Sequence, residues 1–160
     1  MNSNPDRVER KLAAIFAADV AGYARLMSAD ESGTFRALTA HRELVDQLIA
    51  QHGGRIANTA GDSVLAEFPS VVGAVECAVA LQQKLADANL GVPADRAIRF
   101  RIGIHVGDVA IRGGDLLGDS VNVAARVQAL AEPGTVWLSE DAYRHVAGKI
   151  DQALDRKSVV

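Results

Sequence analysis

The period of the apolar positions changes several times along this chain, and each change marks an element. Residues 1–10 are polar. Leu12 to Ala18 is an unbroken apolar run inside Lys11 to Val20, too short for an amphipathic helix and consistent with a buried strand. Ser28-Ala29-Asp30-Glu31 has capping-box spacing. From there Phe35, Leu38, Val45, Leu48 and Ile49 recur at helical spacing to about Gln51, where Gly53-Gly54 stops the pattern. Arg55 to Pro69 reads as two strands joined by a tight turn at Gly61-Asp62, with Val64, Ala66 and Phe68 on one face. Ser70 can cap a helix whose stripe is Val71, Val75, Ala78, Val79 and Leu85. After a loop at Gly91-Val92-Pro93, Arg99 to Val106 alternates: Phe100, Ile102, Ile104 and Val106 share one face, Arg99, Arg101, Gly103 and His105 the other. Gly107-Asp108 is expected to turn the chain into a partner strand through Ile111, and Gly113-Gly114 to form a loop. Gly118 to Ala131 is helical, Pro133-Gly134 ends it, Thr135 to Leu138 is a strand, and Ser139-Glu140-Asp141 starts a last helix.

The resulting order, β-α-β-β-α-β-β-α-β-α, predicts an α+β sheet with helices on one face. The polar face of Arg99 to His105 is then expected to lie open in a single chain, to be covered by a ligand or a second copy.

Composition narrows the possibilities. The chain has 160 residues, 49% of them hydrophobic, enough for one domain with one core. Seventeen basic against 20 acidic side chains give a net charge of −3, which argues against a general nucleic-acid binder but not against a nucleotide site. One cysteine, Cys77, excludes an internal disulfide framework; it sits in a helical stripe and reads as a small core residue. The first residues carry no apolar signal-peptide core, and no apolar run is long enough to span a membrane. A cytoplasmic location is expected.

Two carboxylates occupy suggestive places. Asp19 ends the first buried strand beside Gly22, and Asp62 follows Gly61 in a turn. Carboxylates meeting on neighbouring strands make an oxygen site suited to Mg²⁺. Either alone reads as a turn or capping residue, and the pair becomes informative only with the rest of the pattern. The surrounding strings are more specific. Phe16-Ala17-Ala18-Asp19-Val20-Ala21-Gly22-Tyr23 and Gly53-Gly54-Arg55-Ile56-Ala57-Asn58-Thr59-Ala60-Gly61-Asp62-Ser63-Val64-Leu65-Ala66-Glu67-Phe68 resemble the two metal motifs of class III adenylate and guanylate cyclases. Arg101-Ile102-Gly103-Ile104-His105-Val106-Gly107-Asp108 resembles that family's Arg-Ile-Gly-Ile-His-x-Gly strand. Asp115-Leu116-Leu117-Gly118-Asp119-Ser120-Val121-Asn122-Val123-Ala124-Ala125-Arg126 resembles its Gly-x-x-Val-Asn-x-Ala-x-Arg helix, and Glu132-Pro133-Gly134-Thr135-Val136-Trp137-Leu138-Ser139 the strand that follows. The motifs stand in the family's order over residues 11–147.

The resemblance implies a ferredoxin-like βαββαβ core with added strands and helices, spanning 11–160. It implies an adenylate cyclase that converts ATP to 3′,5′-cyclic AMP and pyrophosphate, with two sites at the interface of a homodimer. Asp19, Asp62 and the carbonyl of Val20 would hold two Mg²⁺ or Mn²⁺ ions. The amides of Ala21, Gly22 and Tyr23 would hold phosphate oxygens, and Arg101 the terminal phosphates. Asn122 would orient the ribose and Arg126 stabilise the charged α-phosphate. These two are four apart and so share one helix face. Base reading falls to Asn58 and Asp115, where the family's adenylate cyclases often carry Lys and Asp. None of the histidines has metal-ligand spacing, and His105 reads as structural. Family domains continue through a further hairpin with a triphosphate-binding Lys. This chain stops at Val160, so it reads as truncated at the C-terminus, with Lys157 as a weak stand-in, and as a piece normally fused to regulatory domains.

Three other readings compete. A degenerate cyclase domain would bind nucleotide or only dimerise; Asp19, Asp62, Asn122 and Arg126 oppose that. A diguanylate cyclase is suggested by Gly113-Gly114-Asp115, but Leu116-Leu117 follows where Glu-Phe belongs. A pure interaction module would dimerise without metal affinity.

Overall fold

The computed structural model describes residues 7–150; Lys157 lies outside them. The elements are β1 (Glu9–Val20), α1 (Tyr23–Ala29), α2 (Glu31–Gln51), β2 (Arg55–Ala60), β3 (Ser63–Phe68), α3 (Val71–Ala88), β4 (Phe100–Arg112), β5 (Asp115–Leu117), α4 (Asp119–Leu130), β6 (Val136–Leu138) and α5 (Glu140–Val146). The sheet runs β2-β3-β1-β4-β5, and β6 also pairs with β4. Neighbours in β2-β3-β1-β4 are antiparallel, which is the ferredoxin-like βαββαβ arrangement. β5 and β6 are additions on the far side of β4, antiparallel and parallel to it respectively.

Strand alternation divides the interior in two. Ala14, Phe16, Ala18, Val64, Ala66, Phe68, Ile102 and Ile104 face the main core, covered by α2, α3 and α5. Ala13, Ile15 and Ala17 face the other way and pack with Val109, Leu116 and Ala124 of α4. Helices therefore cover both faces, not one. The face of β4 expected to lie open is the bed of α4. A Cβ on Gly103 would stand 2.3 Å from the Gln128 amide nitrogen, and one on Gly107 would stand 2.3 Å from Ser120 Oγ. His105, buried on the same face, hydrogen-bonds Ser139 Oγ at 2.7 Å.

Other expectations shift for local reasons. β1 starts at Glu9, because Glu9 and Arg10 pair with Ile111 and Ala110. The Gly107-Asp108 turn does not form: β4 runs straight through, and its glycine serves the approach of α4. The chain reverses instead at Gly113-Gly114. Both have positive φ, 57° and 82°, as a type I′ hairpin turn requires, and Arg112 pairs with Asp115 across it. The expected capping box does not open α2 at Ser28, which lies in the short helix α1. Asp30 caps α2, its Oδ1 accepting from the Gly33 amide at 3.0 Å, while its own N–H closes α1 on the Leu26 carbonyl.

Candidate active site

Sheet pairing brings the two motifs expected to bind metal together at the C-terminal end of β1. Asp19 lies opposite Arg101 on β4. The guanidinium grips the carboxylate with both prongs, Nε to Oδ1 at 2.9 Å and Nη2 to Oδ2 at 2.7 Å. That contact, and the nearby charges of Asp19 and Asp62, hold the Arg101 guanidinium above its ordinary pKa despite partial burial. Asp62 arrives from the β2–β3 turn. Ala60 pairs with Ser63 across it, and Gly61 takes φ 58° at its first central position. The Val20 amide donates to Asp62 Oδ2 at 2.9 Å, tying that turn to the residue after Asp19. The two aspartates thus share a small polar site with Arg101, which is bonded to Asp19 and feels the charge of Asp62.

The donors present fit a hard divalent ion. Both candidate side-chain ligands are carboxylates, and Mg²⁺ commonly takes only one or two protein carboxylates, completing its shell with water and phosphate oxygens. The Arg101 guanidinium already occupies the place of positive charge beside Asp19. No group of three or more His, Cys, Asp or Glu side chains forms a metal site among the described residues, so such an ion would need oxygens from substrate or solvent.

The segment expected to hold phosphate differs from expectation at one amide. Ala21 N–H donates to the Arg99 carbonyl at 2.8 Å and is committed to the fold. Gly22, at φ 66° and ψ 31°, is the N-cap of α1, so its own and the Tyr23 amides lie at a helix start, where backbone donors lack intrahelical acceptors.

Asn122 and Arg126 stand on the exposed side of α4, opposite Ala124 and Val127, which pack inward. Neither makes a hydrogen bond or ion pair that joins it to Asp19 or Asp62 among the described residues. The helix is nonetheless anchored near the aspartates: Arg101 Nη1 also donates to the Ala129 carbonyl at 3.3 Å. Asn58 is exposed on β2, just after a bulge between Ile56 and Asn58. Asp115 opens β5, its Oδ1 accepting from the Leu116 amide at 2.9 Å.

One cluster escaped the sequence reading. Glu67 is 7% exposed, and its Oε1 accepts from Lys11 Nζ at 2.8 Å and from Arg55 Nε at 3.2 Å. Burial pushes its pKa up, and the two cations more than reverse that, leaving it below the usual carboxylate value. The available signal was a charge inside the apolar strand Val64-Leu65-Ala66-Glu67-Phe68.

This fold and these motifs define a class III nucleotidyl cyclase domain. The family described as "Adenylate and Guanylate cyclase catalytic domain" matches residues 8–159, and the chain belongs to it. It is 49% identical over 147 residues to "Putative adenylate cyclase 3" of Rhizobium meliloti, covering 91% of this chain and 25% of that protein. It is 33% identical over 136 residues to the adenylate cyclase of Streptomyces coelicolor, covering 83% of this chain and 33% of that one. The chain therefore spans about a quarter to a third of these relatives. A crystal structure of an adenylate/guanylate cyclase/hydrolase from Silicibacter pomeroyi superposes with TM-score 0.87 at 39% identity, covering 93% of this chain and 87% of that one. Among the described residues no helix is long and apolar enough to cross a membrane.

Proposed function

We propose that this domain is an adenylate cyclase that closes ATP to 3′,5′-cyclic AMP, releasing pyrophosphate, at a site shared by two copies of the chain. One observation carries the reading. Asp19 and Asp62 converge with Arg101 at the end of β1, while Asn122 and Arg126 face away from the fold on α4. A second copy, related by a two-fold axis, can present that helix face to the aspartates. The names of the relatives support ATP as substrate.

Asp19, Asp62 and the Val20 carbonyl would hold Mg²⁺ or Mn²⁺, two ions per site. When bound, such ions acidify the ribose 3′-hydroxyl and screen the triphosphate. The remaining work belongs to the chain. The 3′-oxygen forms a bond to the α-phosphorus as the bond to pyrophosphate breaks. Arg126 offsets charge on the α-phosphate, and Asn122, one turn away, orients the ribose. Arg101 turns part of its guanidinium from Asp19 to the terminal phosphates, and the Gly22 and Tyr23 amides approach phosphate oxygens.

Base choice rests mainly on Asp115. An ionised carboxylate only accepts hydrogen bonds, so it suits adenine's amino group and opposes guanine's carbonyl. The amide of Asn58 can turn to donate or accept. A mismatch of about 1–3 kcal/mol gives roughly 5–150-fold preference for ATP. Asp115→Ala should erode it and Asn58→Lys sharpen it. Equal kcat/KM for ATP and GTP would remove Asp115 from this role.

The test of the shared site is complementation with Mn²⁺. Asp19→Asn and Arg126→Ala chains, each inactive alone, should recover activity when mixed, because one site of the heterodimer keeps both aspartates and the arginine. A demonstrably mixed dimer with no recovered cyclic AMP would refute the arrangement.

A further inference from the structure

Arg55 makes two hydrogen bonds that point to different parts of the molecule. Nε donates to Glu67 Oε1 on the adjacent strand β3, at 3.2 Å. Nη1 donates to the Gly114 carbonyl at 2.8 Å. β2 and β5 lie at opposite ends of the strand order β2-β3-β1-β4-β5, so this second bond links the two ends. Its acceptor is the residue immediately before Asp115. The turn that aims that carbonyl needs positive φ at Gly113 and Gly114, and Gly114 lies close enough that a Cβ there would be 3.6 Å from Arg55 Nη1.

The same strand carries Asn58. Three residues would normally put Arg55 and Asn58 on opposite faces. The bulge changes this: Arg55 pairs with Glu67 and Asn58 with Leu65, and those two partners share a face of β3. Leu65, Ala57 and Leu116 all belong to the small core on that side. Behind Arg55, Glu67 is buried and receives Lys11 from β1 as well, so the guanidinium is braced by a carboxylate that is itself held from two strands. Glu67 Oε2 is buried without a hydrogen bond among the described residues, so the cations on Oε1 are what keep this charge in place. Asp115 in turn has its carboxylate fixed by the Leu116 amide. The chain of contacts runs from Lys11 and Glu67 through Arg55 to the turn that carries Asp115.

We infer that Arg55, braced by Glu67 and Lys11, is a positioning residue for nucleotide choice: its bond to the Gly114 carbonyl sets where Asp115 stands relative to Asn58, and so sets the preference for ATP over GTP. This rests on Asp115 reading the base, as proposed above. Arg55 acts through the turn and does not itself touch the nucleotide.

The experiment measures dissociation constants for ATP and GTP by competition against a fluorescent ATP analogue, with Ca²⁺ present, so that the readout does not depend on turnover. The proteins are the full chain, Arg55→Lys, Arg55→Gln, Asp115→Ala, and each Arg55 variant combined with Asp115→Ala. Lys keeps a cation beside Glu67 but cannot reproduce the fork that bonds Glu67 and Gly114 in fixed geometry. Melting temperatures accompany each variant, and Gln serves if Lys does not fold. The ATP-to-GTP affinity ratio should drop about 5-fold or more in the Arg55 variants, toward the Asp115→Ala value. The double variants should match Asp115→Ala alone, because Arg55 has nothing left to position. A changed ratio in Asp115→Ala with an unchanged ratio in folded Arg55 variants would overturn the inference and leave the base reading standing. Independent, additive effects in the double variants would also overturn it. An unchanged ratio in Asp115→Ala would overturn the base reading, and the inference with it.

Discussion

Asp19 belongs to two partnerships, an ion pair with Arg101 and the proposed metal site. Asp62 belongs to the same proposed site and accepts from the Val20 amide. Asparagine keeps the shape and an accepting oxygen at both places but removes the charge. Asp19→Asn and Asp62→Asn should therefore each drop Mn²⁺-supported turnover below about a tenth of the parent's while the fold survives, since an asparagine oxygen can still accept from Arg101 at one place and from the Val20 amide at the other. Activity assays with melting curves check both halves; more than a tenth retained with Mn²⁺ would sink the metal assignment. Arg126→Ala should lower kcat by roughly 10²–10³-fold, as loss of one transition-state donor does, with a much smaller change in KM. A normal kcat with a raised KM would reassign Arg126 to ground-state binding. Cys77 has no such role. It is fully buried, and burial pushes its thiol up to about 12. It should stay unlabelled by a thiol reagent in the native protein and react on unfolding; rapid native labelling would show that α3 opens.

At the scale of elements, α4 is set by two glycines of β4. A Cβ at Gly103 would meet the Gln128 backbone nitrogen at 2.3 Å and its Cα at 2.7 Å, and neither can rotate away. At Gly107 the nearest atom is Ser120 Oγ, which can. Gly103→Ala should thus cost about 1–3 kcal/mol and displace the helix that carries Asn122 and Arg126. Gly107→Ala should cost much less. Urea unfolding and cyclase assays on both variants test this, and equal effects would mean that α4 is not seated as described. The alternation of β4 was legible in the sequence, and so was the helix after it. The meaning of the glycines was not. Gly107-Asp108 looks like a turn because such pairs favour reversals, whereas here the missing side chain makes room for a neighbour distant in sequence.

Across the whole molecule, buried titratable groups make stability depend on pH. Burial lowers the pKa of His41 from 6.5. Burial also lowers that of His105, against the pull of Asp141 and Asp119. The unfolded chain therefore binds more protons than the native one just below pH 6.5. Their stabilising effect is complete above that value and is lost as pH falls through the lower folded values. Glu67 acts in the same direction further down, its contribution present above the ordinary carboxyl value of 4.5 and lost as pH falls through its depressed one. Urea midpoints should decline from pH 7 to 5 and again below 4.5, and His105→Gln should weaken the first decline. A flat profile from pH 7 to 5 would contradict the buried neutral histidines.

Sequence by itself determined the family, the α+β class and the order of the main elements, because apolar period, caps and turn residues are local and the motifs are read one segment at a time. It also singled out Asp19 and Asp62 as a pair through their motifs. Other features were decided only by tertiary structure. The second helical layer depends on which face of β4 receives α4. The commitment of the Ala21 amide depends on Arg99, and the start of β1 at Glu9 on a partner at Ile111. The Lys11–Glu67–Arg55 brace joins three strands and reaches the β4–β5 turn at Gly114. Such contacts have no sequence period, since the atoms that meet are brought together by strand pairing and sheet twist rather than by spacing along the chain.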